Sequence, residues 1–507
     1  MNHRETESQQ KIGYFIKNLR EERGLTQERF AKELGTSQSA VARMEAGGQN
    51  FSTEVLMKIS RLLNRKIVAI SESLDFKIEG GRKLEGSIAT NFSKNGSVVL
   101  LCATLLNSGK TVLHGISRIE EVNRLIEIMQ SIGVTVRWVG KNSVEVAPPE
   151  RFALDALDKA AAARIRSSLM LIGPLIHAVK RFALPHAGGC KMGNRTIAAH
   201  RYGLEKLGVR IVTKEGHYDV KAVRLRPSDI VMYEAGDTAT NNILMAAALI
   251  PGTTVIRFAP PNYQVQELCF FLERMGVKVE GIGTTTLTVH GIERFNGTLE
   301  YHNSEDPIES MMFIAAAATT RSRLEVRRVP IEFLSVELLK LEKMGLKFKV
   351  STPYLSYNKK TKLVDVIVHP SNLRALSDKI HALPYPGINT DNLPFFVPIA
   401  TQAKGTTLIH DWMWENRAVY FTELNRLGAS VTLADPHRVF VAGKTPLRGA
   451  QVVCPPALRP AMIILIGMLA AEGTSILRNI YSINRGYEEI AERLNSIGAD
   501  IEILGGL

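Results

Sequence analysis

The sequence predicts an α/β (α+β) chain of six repeated βαβ-type units, preceded by a small all-α domain. Three observations lead there. Residues 9–65 read as short amphipathic helices with no strand-like alternation. Past residue 77 one pattern recurs six times: an apolar helix, a Gly followed by a short β run, a second amphipathic helix ending in Leu/Met/Ile-Gly, and another β run. The 507 residues are also too many for one ordinary core, and 45% hydrophobic with 22% charged residues is a globular composition.

In the helical part, QQKIGYFIKNLREERG, TQERFAKELG, SQSAVARMEAG and TEVLMKISRLLN are the candidate helices. Thr26 and Ser37 are placed as N-caps, and Gly24, Gly35 and Gly47 as stops. Ile67–Ile70 is read as a short strand, with SESLDF as the linker. The repeats follow as LLCATLLNSGKTVLHG…LIEIMQSIGVTVR, LIGPLIHAVKRFALP…RYGLEKLGVRIVT, MAAALIPGTTVIRF…ELCFFLERMGVKVE, MMFIAAAATTRSRLEVR…LLKLEKMGLKFKV, FFVPIATQAKGTTLIHD…FTELNRLGASVTL and IGMLAAEGTSILRN…EIAERLNSIGADIEIL. Their second helices end at Gly133, Gly208, Gly276, Gly345, Gly428 and Gly498. Buried apolar first helices imply helices inside, packed against sheets.

Charge and cysteine usage narrow the function. The net charge is +13, but residues 1–75 carry 12 Lys+Arg against 10 Asp+Glu, so most of the excess lies beyond them. Anionic small substrates explain that excess better than nucleic acid. Cys102, Cys190, Cys269 and Cys454 are far apart without C-x-x-C spacing, which indicates neither a zinc site nor a disulfide framework. With no apolar run long enough to span a bilayer and a polar start, MNHRETESQQ, the expectation is a cytoplasmic protein without a membrane segment. Cys190 stands out, set among glycines and followed by Lys191 and Arg195 in LPHAGGCKMGNR, where cations favour a thiolate or bind an anion.

The stretch LTQERFAKELGTSQSAVARME resembles the helix-turn-helix of phage-repressor-like regulators, whose second helix enters the major groove. That resemblance implies a DNA-binding domain over residues 1–70, with Ser37, Gln38, Ser39 and Arg43 facing DNA and Gln27 near the phosphates. It also suggests a homodimer.

The sixfold repeat with its GTT/GTS turns resembles the enolpyruvyl transferase family. The resemblance implies an inside-out α/β barrel in two lobes of three units, residues 78–92 with 304–507 and residues 93–303, after a linker at 71–77. It runs from about residue 77 to the end and implies transfer of the enolpyruvyl group of phosphoenolpyruvate, with release of phosphate and no cofactor or metal. The acceptor it implies is the sugar 3-hydroxyl of UDP-N-acetylglucosamine, the first committed step of peptidoglycan precursor synthesis. Within the family pattern, KLEGSIATNFSKNGSVV supplies Lys94 and Asn95, and RIRSSLMLIGPL supplies Arg166 for the phosphate. GGCKMGNR supplies Cys190 as general acid and site of a covalent adduct on a closing loop, with Arg195 on the phosphate. PYPGINTDNLPFF supplies Asp391 as general base, and MWENRAVYF, ALRPAM and INRGYEEIAERL supply Arg417, Arg459 and Arg485 for substrate.

The chain also departs from the family pattern. His186 and Ala187 are inserted after LP, and Thr196–Ala199 replace Pro-Val-Asp-Leu. Glu234–Thr238 replace Lys-Val-Ser-Val-Gly, placing two acids by the expected diphosphate site, and Ala457 stands for an Asp. Two other readings follow from these changes and from the fused helical domain: a different acceptor, or a DNA-binding regulator whose transferase-like body senses phosphoenolpyruvate or a nucleotide sugar.

Overall fold

The computed structural model describes residues 13–14, 16–21, 24–47, 55, 58–59, 62, 74–188 and 196–505. Cys190, Arg195 and the strand expected at Ile67–Ile70 lie outside the described residues. The chain divides into two compact units, residues 1–75 with 503–507 and residues 76–502.

In the first unit the caps fall where short polar side chains meet helix starts. Thr26 accepts from Arg29 N at the head of Gln27–Leu34, and Ser37 accepts from Ala40 N at the head of Gln38–Glu45. Gly24, Gly35 and Gly47 all have positive φ, as chain reversal after a helix requires. Ile16, Leu19, Phe30, Leu34, Val41, Met44 and Ile59 form the core. Arg20 crosses it to pair with buried Glu45, Nε to Oε1 at 2.5 Å.

In the second unit the described strands form six sheets. Each is accompanied by a first helix that is largely or wholly buried: Lys94–Ala103, Ile172–Ala178, Asp237–Ala248, Pro307–Thr319, Phe396–Thr401 and Leu458–Ala470. Pro307–Thr319 is buried at every position, which its run of Ile, Met, Phe and Ala allows. The second helices end on the six expected glycines, whose φ lies between 85° and 98°. An L side chain is disfavoured at that φ, and the turn into the next strand needs it. One unit differs in detail: Ala418–Leu427 is 3₁₀ rather than α-helical. Leu74–Lys77, expected as linker, already belong to the strand Leu74–Gly80.

Two strands sit in sheets remote in sequence. Ser87–Ala89 runs parallel to Leu324–Pro330, and Thr298–His302 runs parallel to Lys110–His114. Between them the chain passes twice through one place, where Ser93 N donates to Ser304 O, Asp306 N donates to Asn91 O, and Phe92 bridges Glu305. Fully buried Asn303 ties this passage together, its Nδ2 donating to Ser93 O (2.9 Å), Gly115 O (2.9 Å) and Ser97 Oγ (3.2 Å). Asn303→Ala would strand these acceptors away from water and is expected to cost about 2–4 kcal/mol. Chemical denaturation would register this as a lower unfolding midpoint, and an unchanged midpoint would show that water replaces the amide.

Candidate active site

The second unit encloses a cavity of about 770 Å³ whose wall includes the starts of several inner helices. Lys94 and Asn95 open Lys94–Ala103, Arg166 opens the 3₁₀ segment Arg166–Leu171, Asp237 opens Asp237–Ala248, and Leu458 and Arg459 open Leu458–Ala470; all line it. Helix N-termini present unpaired N–H groups and a positive dipole end, so their convergence favours an anion. Asp391 and Arg485 reach the same cavity from loop and helix-end positions.

Lys94, Arg166 and Arg459 are each held by an internal carboxylate or carbonyl. Lys94 Nζ lies 2.7 Å from Glu121 Oε2, and its backbone N–H donates to Asp306. Burial opposes ionisation of Glu121, but Lys94, with Arg485 and Ser167, outweighs it and keeps that carboxyl below its ordinary range. Asn95 donates to the Tyr263 hydroxyl at 2.8 Å. Arg166 donates to Thr196 O at 2.9 Å, and burial lowers its pKa. Arg459 donates to Asp391 Oδ2 at 3.1 Å and to Tyr487 Oη at 2.7 Å. Burial alone would raise the pKa of Asp391; Arg459, then Arg417 and Lys94, reverse this and hold it below the carboxylate range. Asp391 is therefore held as a carboxylate at neutral pH.

The structure thus brings together Lys94, Asn95, Arg166, Asp391, Arg459 and Arg485. It corrects Arg417. That side chain is fully buried, bidentate to Asp411 at 2.5 and 2.9 Å and bonded to Thr390 O at 2.7 Å, with Nη1 4.0 Å from Asp391. Its Nη1 is turned toward Asp391. Both acids expected near the diphosphate line the cavity: Glu234 with an exposed side chain, and Asp237, whose Oδ2 accepts from Gln264 (2.6 Å) and Asn262 (2.9 Å). Burial raises Asp237 to about 6, with the nearby Asp391 charge contributing in the same direction.

In the helical unit Gln38, Ser39 and Arg43 are exposed on one helix. The Ser37 hydroxyl is used as a cap, and Gln27 Nε2 donates to Glu45 Oε2 at 2.8 Å. Sequence reasoning missed Glu121, Tyr263, Asn262, Gln264 and the pair Trp412 and Trp414, all in the cavity wall. Only the tryptophans had a usable signal: two of three in the chain stand two residues apart in a loop.

Six helix-centred units around a cationic, carboxylate-balanced cavity are the architecture of enolpyruvyl transferases. Solved structures agree: an enolpyruvyl transferase of Streptomyces tendae, NikO, superposes with a TM-score of 0.73 at 24% identity, covering 86% of this chain and 99% of that one. An EPSP synthase of Acinetobacter baumannii gives 0.65 at 18%, covering 85% and 100%. The family model for EPSP synthase (3-phosphoshikimate 1-carboxyvinyltransferase) matches residues 78–494, and a helix-turn-helix model matches residues 16–70. UDP-N-acetylglucosamine 1-carboxyvinyltransferase of Treponema denticola is 34% identical over 429 residues, 85% of this chain and 99% of that protein. The protein of the same name from Bacteroides thetaiotaomicron is 36% identical over 439 residues, 84% and 99%. The chain belongs to the UDP-N-acetylglucosamine 1-carboxyvinyltransferase family.

Asp237 supplies a test of the cavity's electrostatics. Its folded pKa lies above its unfolded value of 3.8, so its stabilising contribution is fully present below 3.8 and is lost as pH rises through about 6. Asp237→Asn keeps an oxygen for both amides and is expected to raise the melting temperature at pH 8, with the gain closing toward pH 4. A gain independent of pH would contradict the assignment.

Proposed function

We propose that this chain transfers the enolpyruvyl group of phosphoenolpyruvate to the 3-hydroxyl of UDP-N-acetylglucosamine, releasing phosphate, in the cytoplasm and as the entry step to peptidoglycan precursors. The observation that carries this reading is an ionised Asp391 in the same cavity as Lys94, Arg166, Arg459 and Arg485. Arginine suits the carboxylate and phosphate because its planar fork binds either in two places and stays charged. Asp391 takes the proton of the sugar hydroxyl as its oxygen bonds to C2 of phosphoenolpyruvate, and Cys190 gives a proton to C3. Loss of a C3 proton and of phosphate from C2 then restores the double bond. Arg195 joins the phosphate ligands, and Arg417 holds Asp391 in place. We place the lobe limits at 78–92 with 304–507 and at 93–303.

The exposed Gln38, Ser39 and Arg43 support a second property, DNA binding by residues 1–70 in a homodimer, carried alongside the transferase.

Phosphate release from phosphoenolpyruvate by the full chain is expected to require UDP-N-acetylglucosamine and to fall at least about a hundredfold in Cys190→Ala, the scale of losing a proton-transfer group. Release with no acceptor dependence, or undiminished in the variant, would overturn the reading. In the same preparation, Arg43→Ala is expected to weaken duplex binding in a gel-shift titration without altering phosphate release.

A further inference from the structure

Among the described residues, His114, Glu300 and His302 are the one group of three or more His, Cys, Asp or Glu side chains whose ligand atoms all lie within 4.8 Å of one another. None of the three lines the catalytic cavity. His114 and His302 are directly paired on adjacent parallel strands, Lys110–His114 and Thr298–His302, and their rings stack with centroids 4.4 Å apart. Glu300 stands two residues before His302, so strand alternation puts its side chain on the same face.

Three features make this arrangement more than a chance of surface composition. His114 Nδ1 is 2.8 Å from Ser143 Oγ on the strand Ser143–Ala147, which fixes the ring and directs Nε2 to Glu300 Oε1 at 2.7 Å. In the tautomer with Nδ1 donating to the serine, Nε2 presents its lone pair on the side of Glu300. The His302 ring makes no hydrogen bond to any described residue. Tyr357 packs against the other side of His302, with centroids 5.7 Å apart, and limits its rotamers.

We propose that His114, Glu300 and His302 form a binding site for a borderline divalent metal ion of the zinc class, separate from the reaction. Two imidazoles and one carboxylate are a zinc-type donor set, and Ser143 is the outer partner that sets the tautomer of a ligating histidine. The ligands come from segments 186 residues apart in sequence. His302 immediately precedes Asn303, the centre of the double chain passage. A bound ion therefore cross-links the two parallel strands at the point where the chain returns to its other sheets, and its binding energy adds to the stability of the folded chain.

Calorimetric titration of Zn²⁺ into the full chain, with Cys190→Ser to remove the thiol as a competing ligand, tests this. One equivalent is expected to bind and to raise the melting temperature. His302→Gln and Glu300→Gln are each expected to weaken binding at least about tenfold and to reduce the thermal shift. Glu300 has a 66% exposed side chain, so its substitution leaves folding intact. Absence of binding, or a smaller loss than this in both variants, overturns the proposal.

Discussion

The structure depends on the direction of its buried helices. Several inner helices start at one cavity, and a helix start is where backbone N–H groups lack partners and the dipole is positive. Lys94, Arg166 and Arg459 occupy those starts, adding formal charge to the partial charge already there. Such a concentration of positive charge would be costly if uncompensated. Glu121 and Asp391 balance it from the cavity wall, and Asp306 accepts from the Lys94 backbone N–H, so the site holds its geometry and still favours an incoming anion.

Packing and chemistry are therefore one problem here. The double passage at 90–93 and 303–306 sets Lys94 and the Asp306 cap next to each other, and Asn303 satisfies the carbonyls that this tight crossing buries. Arg417 shows the same economy. It is fully buried against Asp411, and its remaining nitrogen is turned toward Asp391, so a structural ion pair also helps to keep Asp391 ionised.

Much of this was legible in the sequence, for local reasons. A helix ending directly into a strand needs a left-handed residue, so the repeated Gly133, Gly208, Gly276, Gly345, Gly428 and Gly498 marked all six units. Thr26 and Ser37 were legible as caps because their hydrogen bonds reach only three residues onward. What was not legible depends on partners remote in sequence. ALRPAM and MWENRAVYF look equivalent as arginine motifs, yet Arg459 faces the cavity and Arg417 faces Asp411. Asp237 reads as a charge at an anion site until Asn262 and Gln264 are placed beside it. The strand exchange of Ser87–Ala89 and Thr298–His302 has no local signature, since both read as ordinary short β runs.

The central claim is that Asp391 takes the acceptor's proton while the surrounding cations hold phosphoenolpyruvate. The most direct measurement is calorimetric titration of phosphoenolpyruvate into the Asp391→Asn chain with UDP-N-acetylglucosamine present, with released phosphate assayed in the same sample. The account predicts saturable binding of phosphoenolpyruvate without phosphate release. Turnover at the unsubstituted rate, or failure of phosphoenolpyruvate to bind, would contradict it.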